Sequence, residues 1–80
     1  MAVMTQTQAK RFLEMEDRMI DILNFLRDKG IMDAQTHRKI LLGGYFRLVE
    51  YLQGKKILTG KQADESLTGG FDVLIKHLAA

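Results

Sequence analysis

The sequence predicts an all-α protein, a small bundle of three helices carrying an internal repeat of about 26 residues. Proline is absent, apolar residues recur at three- and four-residue spacing through three long stretches, and the glycines gather at the ends of those stretches and in two pairs. An apolar stripe that returns every ~3.6 residues is the signature of a helix with one buried face.

Helix 1 is expected from about residue 7 to residue 29. Phe12, Met15, Met19, Ile22 and Leu26 make its stripe, and Leu13, Ile20 and Leu23 widen it. Thr5 or Thr7 can cap its start, and Lys29-Gly30 supplies a basic last turn and a glycine stop. Residues 1–6 ahead of it are expected to be flexible. Helix 2 is expected over about 33–53, with Asp33 capping the amide of Thr36 and Gly54 as the stop. Its inward line is Leu41, Tyr45, Leu48 and Leu52. Helix 3 is expected over about 59–78, because Thr59-Gly60-Lys61-Gln62 has the form of a capping box. Its inward line is Leu67, Phe71, Leu74 and Leu78. Together these make a single helical domain, 1–80.

The repeat emerges when the chain is slid along itself by 26 positions. Ile31, Met32 and Asp33 then meet Ile57, Leu58 and Thr59, and Gly43-Gly44-Tyr45 meets Gly69-Gly70-Phe71. Leu48, Val49 and Leu52 meet Leu74, Ile75 and Leu78 in the same ungapped register. Ile22, Leu23 and Leu26 of helix 1 fall on those columns too, but Asp17 and Arg18 stand where the glycine pair would be. Glycine in mid-helix costs ~1 kcal/mol against alanine, so each pair needs a compensating reason. Close packing of helix backbones at Gly43, Gly44, Gly69 and Gly70 is the expectation. A break at each pair, splitting helices 2 and 3 into shorter segments, is the other reading. Neither pair has the spacing of a phosphate-binding loop.

Eighty residues bury a modest core, and small domains of this kind lean on disulfides, a metal or self-association. No cysteine is present, which excludes disulfides and thiolate metal sites. His37 and His77 are too far apart in sequence to form a ligand motif, so no metal is expected. Self-association, as a homodimer or higher oligomer, is the support that remains. No apolar run is long enough to span a bilayer, and the first residues lack the pattern of a signal peptide, so no membrane role is expected and the location is expected to be cytoplasmic.

Nothing in the sequence assembles a nucleophile, a base and an orienting group, so no enzyme activity, catalytic residue or cofactor is expected. Ile40, Phe46 and Tyr51 lie outside the tightest inward arc of helix 2, while Glu16 and Arg27 intrude on the apolar side of helix 1. These five are the candidate partner or oligomer surface. The function expected is that of a small non-catalytic protein-interaction module, a regulator, adaptor or inhibitor of the kind found among bacterial, plasmid and phage proteins. The alternative rests on charge. Residues 29–61 carry net +5, against −1 before and −2 after. Lys39, Arg47, Lys55 and Lys56 are the candidate phosphate contacts of a nucleic-acid-binding protein. Glu50 on the same outward face weakens that alternative.

Overall fold

The structure, a computed structural model, describes residues 2–80 and contains six α-helices and, among the described residues, no strand. They are α1 (Gln6–Glu14), α2 (Arg18–Asp28), α3 (Ala34–Gly43), α4 (Tyr45–Gly54), α5 (Gly60–Gly69) and α6 (Phe71–Ala79). Each of the three expected long helices is therefore two. The three-helix bundle is corrected to three helix pairs, α1–α2, α3–α4 and α5–α6.

Each glycine pair is a break, and close approach is required only at its first member. Gly44 takes φ 88°, ψ −170°, and Gly70 takes φ 80°, ψ −162°, a region of backbone space that is essentially closed to residues with a Cβ. A Cβ built on either would meet nothing within 4 Å, so the glycine is required by the turn and not by crowding. One residue makes the whole corner. The Gly44 amide donates to Ile40 O and ends α3, while its carbonyl accepts from Leu48 N and starts α4. Gly70 does the same between Ser66 and Leu74. Gly43 and Gly69 clear the side chains of Arg47 and Val73 in the following helix.

Helix 1 breaks without a glycine. Met15 (φ −80°, ψ 146°) leaves α1 in an extended conformation and Asp17 (φ −103°, ψ 65°) precedes α2. An ordinary L-residue cannot turn the chain in one step, so three residues do what Gly44 does alone. The first pair is thereby two residues longer than the others, and Thr5, not Thr7, is its cap. Thr5 and Gln8 form a capping box that matches the one made by Thr59 and Gln62. Asp33 accepts from Thr36 N at 2.7 Å, and those bonds hold its carboxyl below the usual carboxylate range.

The connections between pairs are also equivalent. Gly30 N donates to Arg27 O and Ile31 N to Leu26 O; Lys56 N donates to Gln53 O and Ile57 N to Leu52 O. This is the Schellman arrangement, with the residue after the cap at positive φ: 77° for Gly30 and 63° for Lys56. The third connection is made across a gap in the chain. Val3 N donates to Leu78 O at 2.8 Å, as Ile57 does to Leu52. Val3 and Met4 are buried, so they are not part of a flexible lead as expected for residues 1–6; they occupy the places of Ile57 and Leu58. Met1 lies outside the described residues. Each helix packs on the next and α6 returns to α1, which closes three units into a ring.

The core follows from the repeat. Ile22, Leu23 and Leu26 of α2, Leu48, Val49 and Leu52 of α4, and Leu74, Ile75 and Leu78 of α6 all have essentially no exposure. These helices are the inner elements; α1, α3 and α5 lie outside them. Breaking the helices also resets the phase of the stripe. Ile40, expected on the surface, is buried, while Leu41 and Leu67, expected inside, are exposed, as are Met15 and Ile20.

Three outcomes test this architecture. Gly44→Ala and Gly70→Ala should each lower stability by ~1–3 kcal/mol despite open space around both sites. Lys56→Gly should raise it by ~1 kcal/mol, because the side chain is held at positive φ where Gly30 stands in the preceding unit. Urea melts of the three variants measure both. A permutant that joins Ala80 to Val3 through Lys-Gly and opens the chain between Lys55 and Lys56 should fold with the wild-type circular dichroism spectrum and a cooperative melt; an unfolded permutant would contradict ring closure.

Candidate interaction surface

The ring has two dissimilar ends. At one lie the connections between units, residues 29–32 and 55–58 with Val3 and Met4. At the other lie the three corners: residues 15–17, Gly44 and Gly70.

Several contacts bring the corners together. The ring of Tyr45 packs against that of Phe71 with centroids 4.8 Å apart, and the Tyr45 hydroxyl donates to Ser66 O at 2.7 Å. Burial pushes the Tyr45 hydroxyl up to about 12, so it remains a neutral donor throughout the physiological range. Arg18 ties the first corner to the third. Its guanidinium donates to Asp72 Oδ1 at 2.7 Å, and also to the carbonyls of Leu13 and Met15. Met19, Tyr45 and Phe71 are equivalent residues of the three units, all half-buried, and they mark the middle of this end.

Every large apolar side chain that is exposed among the described residues belongs to a corner or the turn beside it. Met15 and Ile20 flank the first, Leu41, Leu42 and Phe46 flank the second, and Leu67 precedes the third. Leu42 and Phe46 are the most exposed, at 83% and 56%. Between the first and third corners lies an open groove of about 720 Å³ lined by Glu14, Met15, Glu16, Asp17, Arg18, Met19 and Phe71.

A second family of features runs down the sides. Each unit has a shallow groove between its outer and inner helix, and the three occupy equivalent places. Gln8, Arg11, Phe12, Met15 and Phe25 line the first. Thr36, Lys39, Ile40, Arg47, Glu50 and Tyr51 line the second, of about 430 Å³. Asp64, Glu65, Lys76 and His77 are among those lining the third. His77 Nε2 lies 3.2 Å from Glu65 Oε1, without hydrogen-bond geometry. His37 Nε2 lies 3.0 Å from Asn24 Oδ1 and ties α3 to α2. No cluster of three or more metal-ligating side chains occurs among the described residues.

The residues singled out in the sequence distribute unevenly over these features. Of the candidate partner surface, Phe46 and Glu16 stand at the corner end. Ile40 is core, which corrects its assignment. Tyr51 is half-buried, its hydroxyl donating to Ile31 O at 2.9 Å, so it braces α4 against the preceding connection. Arg27 is exposed in the last turn of α2, away from the corners. Of the candidate phosphate contacts, Lys39 and Arg47 share the second groove, where Arg47 is paired with Glu50 at 3.0 Å. Lys55 Nζ lies 5.7 Å from the centre of the Tyr51 ring. Lys56 belongs to the connection and is not among the groove residues. Leu42, the most exposed apolar residue, went unmarked in the sequence. Comparison with family models, with curated proteins and with solved structures matches nothing, so the reading rests on this chain's own residues.

Proposed function

We propose that this chain is a small non-catalytic protein-interaction module, a cytoplasmic regulator, adaptor or inhibitor that binds through its corner end and self-associates there. The observation that carries this reading is the concentration of exposed apolar side chains at the corners. Singly scattered apolar residues are ordinary on a protein surface; a gathering of them at one end marks a binding surface. The aromatic Phe46 and the neighbouring Leu42 are the natural anchors, since a few buried side chains carry most of the energy of an interface. Leu42→Ser/Phe46→Ser should leave the thermal melt within ~0.5 kcal/mol of wild type, as exposed positions do. The same variant, used as bait in a native lysate beside wild type, should lose the partners that wild type retains. Equal recovery by both proteins would count against the corner end as the binding surface.

A second reading is favoured by one feature, the meeting of Lys39 and Arg47 in the second groove with Lys55 near its Tyr51 wall. That arrangement suits a phosphate backbone. Glu50 offsets part of the charge, and Tyr51 is the one aromatic among the residues lining this groove. Binding to DNA or RNA of this kind should weaken steeply with salt, and weaken again in Lys39→Glu, Arg47→Glu and Lys55→Glu. Binding that is absent, or indifferent to salt, retires the nucleic-acid reading.

A further inference from the structure

Resting on the interaction-module reading, we infer that the corner end docks face to face on the corner end of a second copy of this chain. In this arrangement the second corner of each copy sits on the first corner of the other.

Charge and shape both argue for this pairing. Ahead of the second corner stand Arg38 and Lys39 with no acidic residue between Asp33 and Glu50, while Arg47 beyond it is paired with Glu50 at 3.0 Å. Residues 14–21 carry Glu14, Glu16, Asp17 and Asp21 against Arg18, net −3. Arg18 is already committed to Asp72, so the acidic excess at the first corner faces outward. The apolar residues complement one another as well. The second corner projects Leu42 and Phe46, whereas the first offers the open groove with Met15, Met19 and Phe71 among its lining. A projecting apolar pair preceded by Arg38 and Lys39 on one corner meets, on the other, a groove that sets Met15, Met19 and Phe71 among Glu14, Glu16 and Asp17.

Symmetry makes the two contacts simultaneous. Three corners at one end of a ring can meet a second copy about a two-fold axis through the third corner. Corner one then faces corner two of the other copy, corner two faces corner one, and the third corners face each other. This is a closed, isologous contact that leaves no open end to propagate. The third corner is the one best suited to meet itself, because its Asp72 is neutralised by Arg18 at 2.7 Å. A stable dimer removes roughly 800 Å² per partner, about a sixth of this chain's 5054 Å² surface.

The absence of cysteine makes the pairing directly testable. Sedimentation equilibrium of the full chain over the micromolar range should show a monomer–dimer equilibrium. Under mild oxidation Met15→Cys/Leu42→Cys should give disulfide-linked dimers, whereas Met15→Cys alone and Leu42→Cys alone should remain largely unlinked. Glu16→Lys and Arg38→Glu should each weaken the dimer about tenfold, and their combination should recover most of the loss. Circular dichroism of each variant controls for folding. A wild-type monomer throughout, linkage of Leu42→Cys alone as efficient as that of the double variant, or no recovery in the combined charge variant would each overturn the proposal. Should the chain be monomeric while Leu42→Ser/Phe46→Ser still loses a lysate partner, this pairing fails and the interaction-module reading stands.

Discussion

The leucine near the end of each inner helix serves the core and the backbone at once. The side chains of Leu26, Leu52 and Leu78 are fully buried among the inner helices. Their carbonyls accept the amides of Ile31, Ile57 and Val3, which turns the chain from one unit into the next. Orphan carbonyls at a helix end must find a donor, and here the donor is always the first residue of an apolar pair that re-enters the core. Ile31-Met32, Ile57-Leu58 and Val3-Met4 are those pairs, and a capping residue follows each one: Asp33, Thr59 and Thr5. Helix end, core re-entry and helix start are thus locked within a few residues, and the same lock recurs at all three junctions of the ring. The third junction lacks a peptide link yet keeps the same hydrogen bond, so the lock is physical and not merely a consequence of chain connectivity.

The repeat constrains the interior and releases the exterior. The buried columns of α2, α4 and α6 repeat as Leu, Ile or Val in every unit, as a close-packed interior favours. Outer positions diverge. Where the second unit has Lys39, Ile40 and Tyr51, the first has Arg11, Phe12 and Phe25, and the third has Glu65, Ser66 and His77. Equivalent grooves therefore carry different chemistry: apolar and aromatic in the first, basic in the second, mixed acid and base in the third. A fold whose stability is invested in the inner helices tolerates this variety at the rim.

Much of the framework was legible in the residues. The caps at Asp33 and Thr59, the stop at Gly30, the 26-residue register and the inner columns all emerge from local chemistry and spacing. What escaped was the phase of the stripe. A helical wheel carries one phase through twenty residues, but a corner at Gly44 restarts it, so Ile40 and Leu41 exchange roles. The glycine pairs are conspicuous in the sequence, but composition cannot distinguish a glycine needed for space, as at Gly43 and Gly69, from one needed for positive φ, as at Gly44 and Gly70. The break in helix 1 had no such marker: Met15, Glu16 and Asp17 turn the chain without a positive φ, and the two extra residues hide Thr5 and Val3-Met4 from any ungapped comparison. At the surface, Phe46 and the pairing of Lys39 with Arg47 were accessible to sequence reasoning. The convergence of the corners was not, since it depends on ring closure.

The corner residues can be weighed by the repeat itself. A side chain that the fold requires should recur in all three units, as Leu26, Leu52 and Leu78 do. Phe46 does not recur: its counterparts are Ile20 and Asp72. Leu42 does not either, its place being held by Glu14 and Thr68. Two units thus do without a large apolar group at the place of Leu42, and one does without it at the place of Phe46. The fold makes no demand for apolar groups at these positions, and exposing them to water carries a solubility cost that a free-standing monomer has no reason to bear. Within one molecule the same backbone position is charged in one copy of the unit and aromatic in another, so the difference records something outside the unit. In the pairing we propose, Leu42 and Phe46 become favourable because a second copy covers them, and the acidic, grooved first corner is the surface that would receive them.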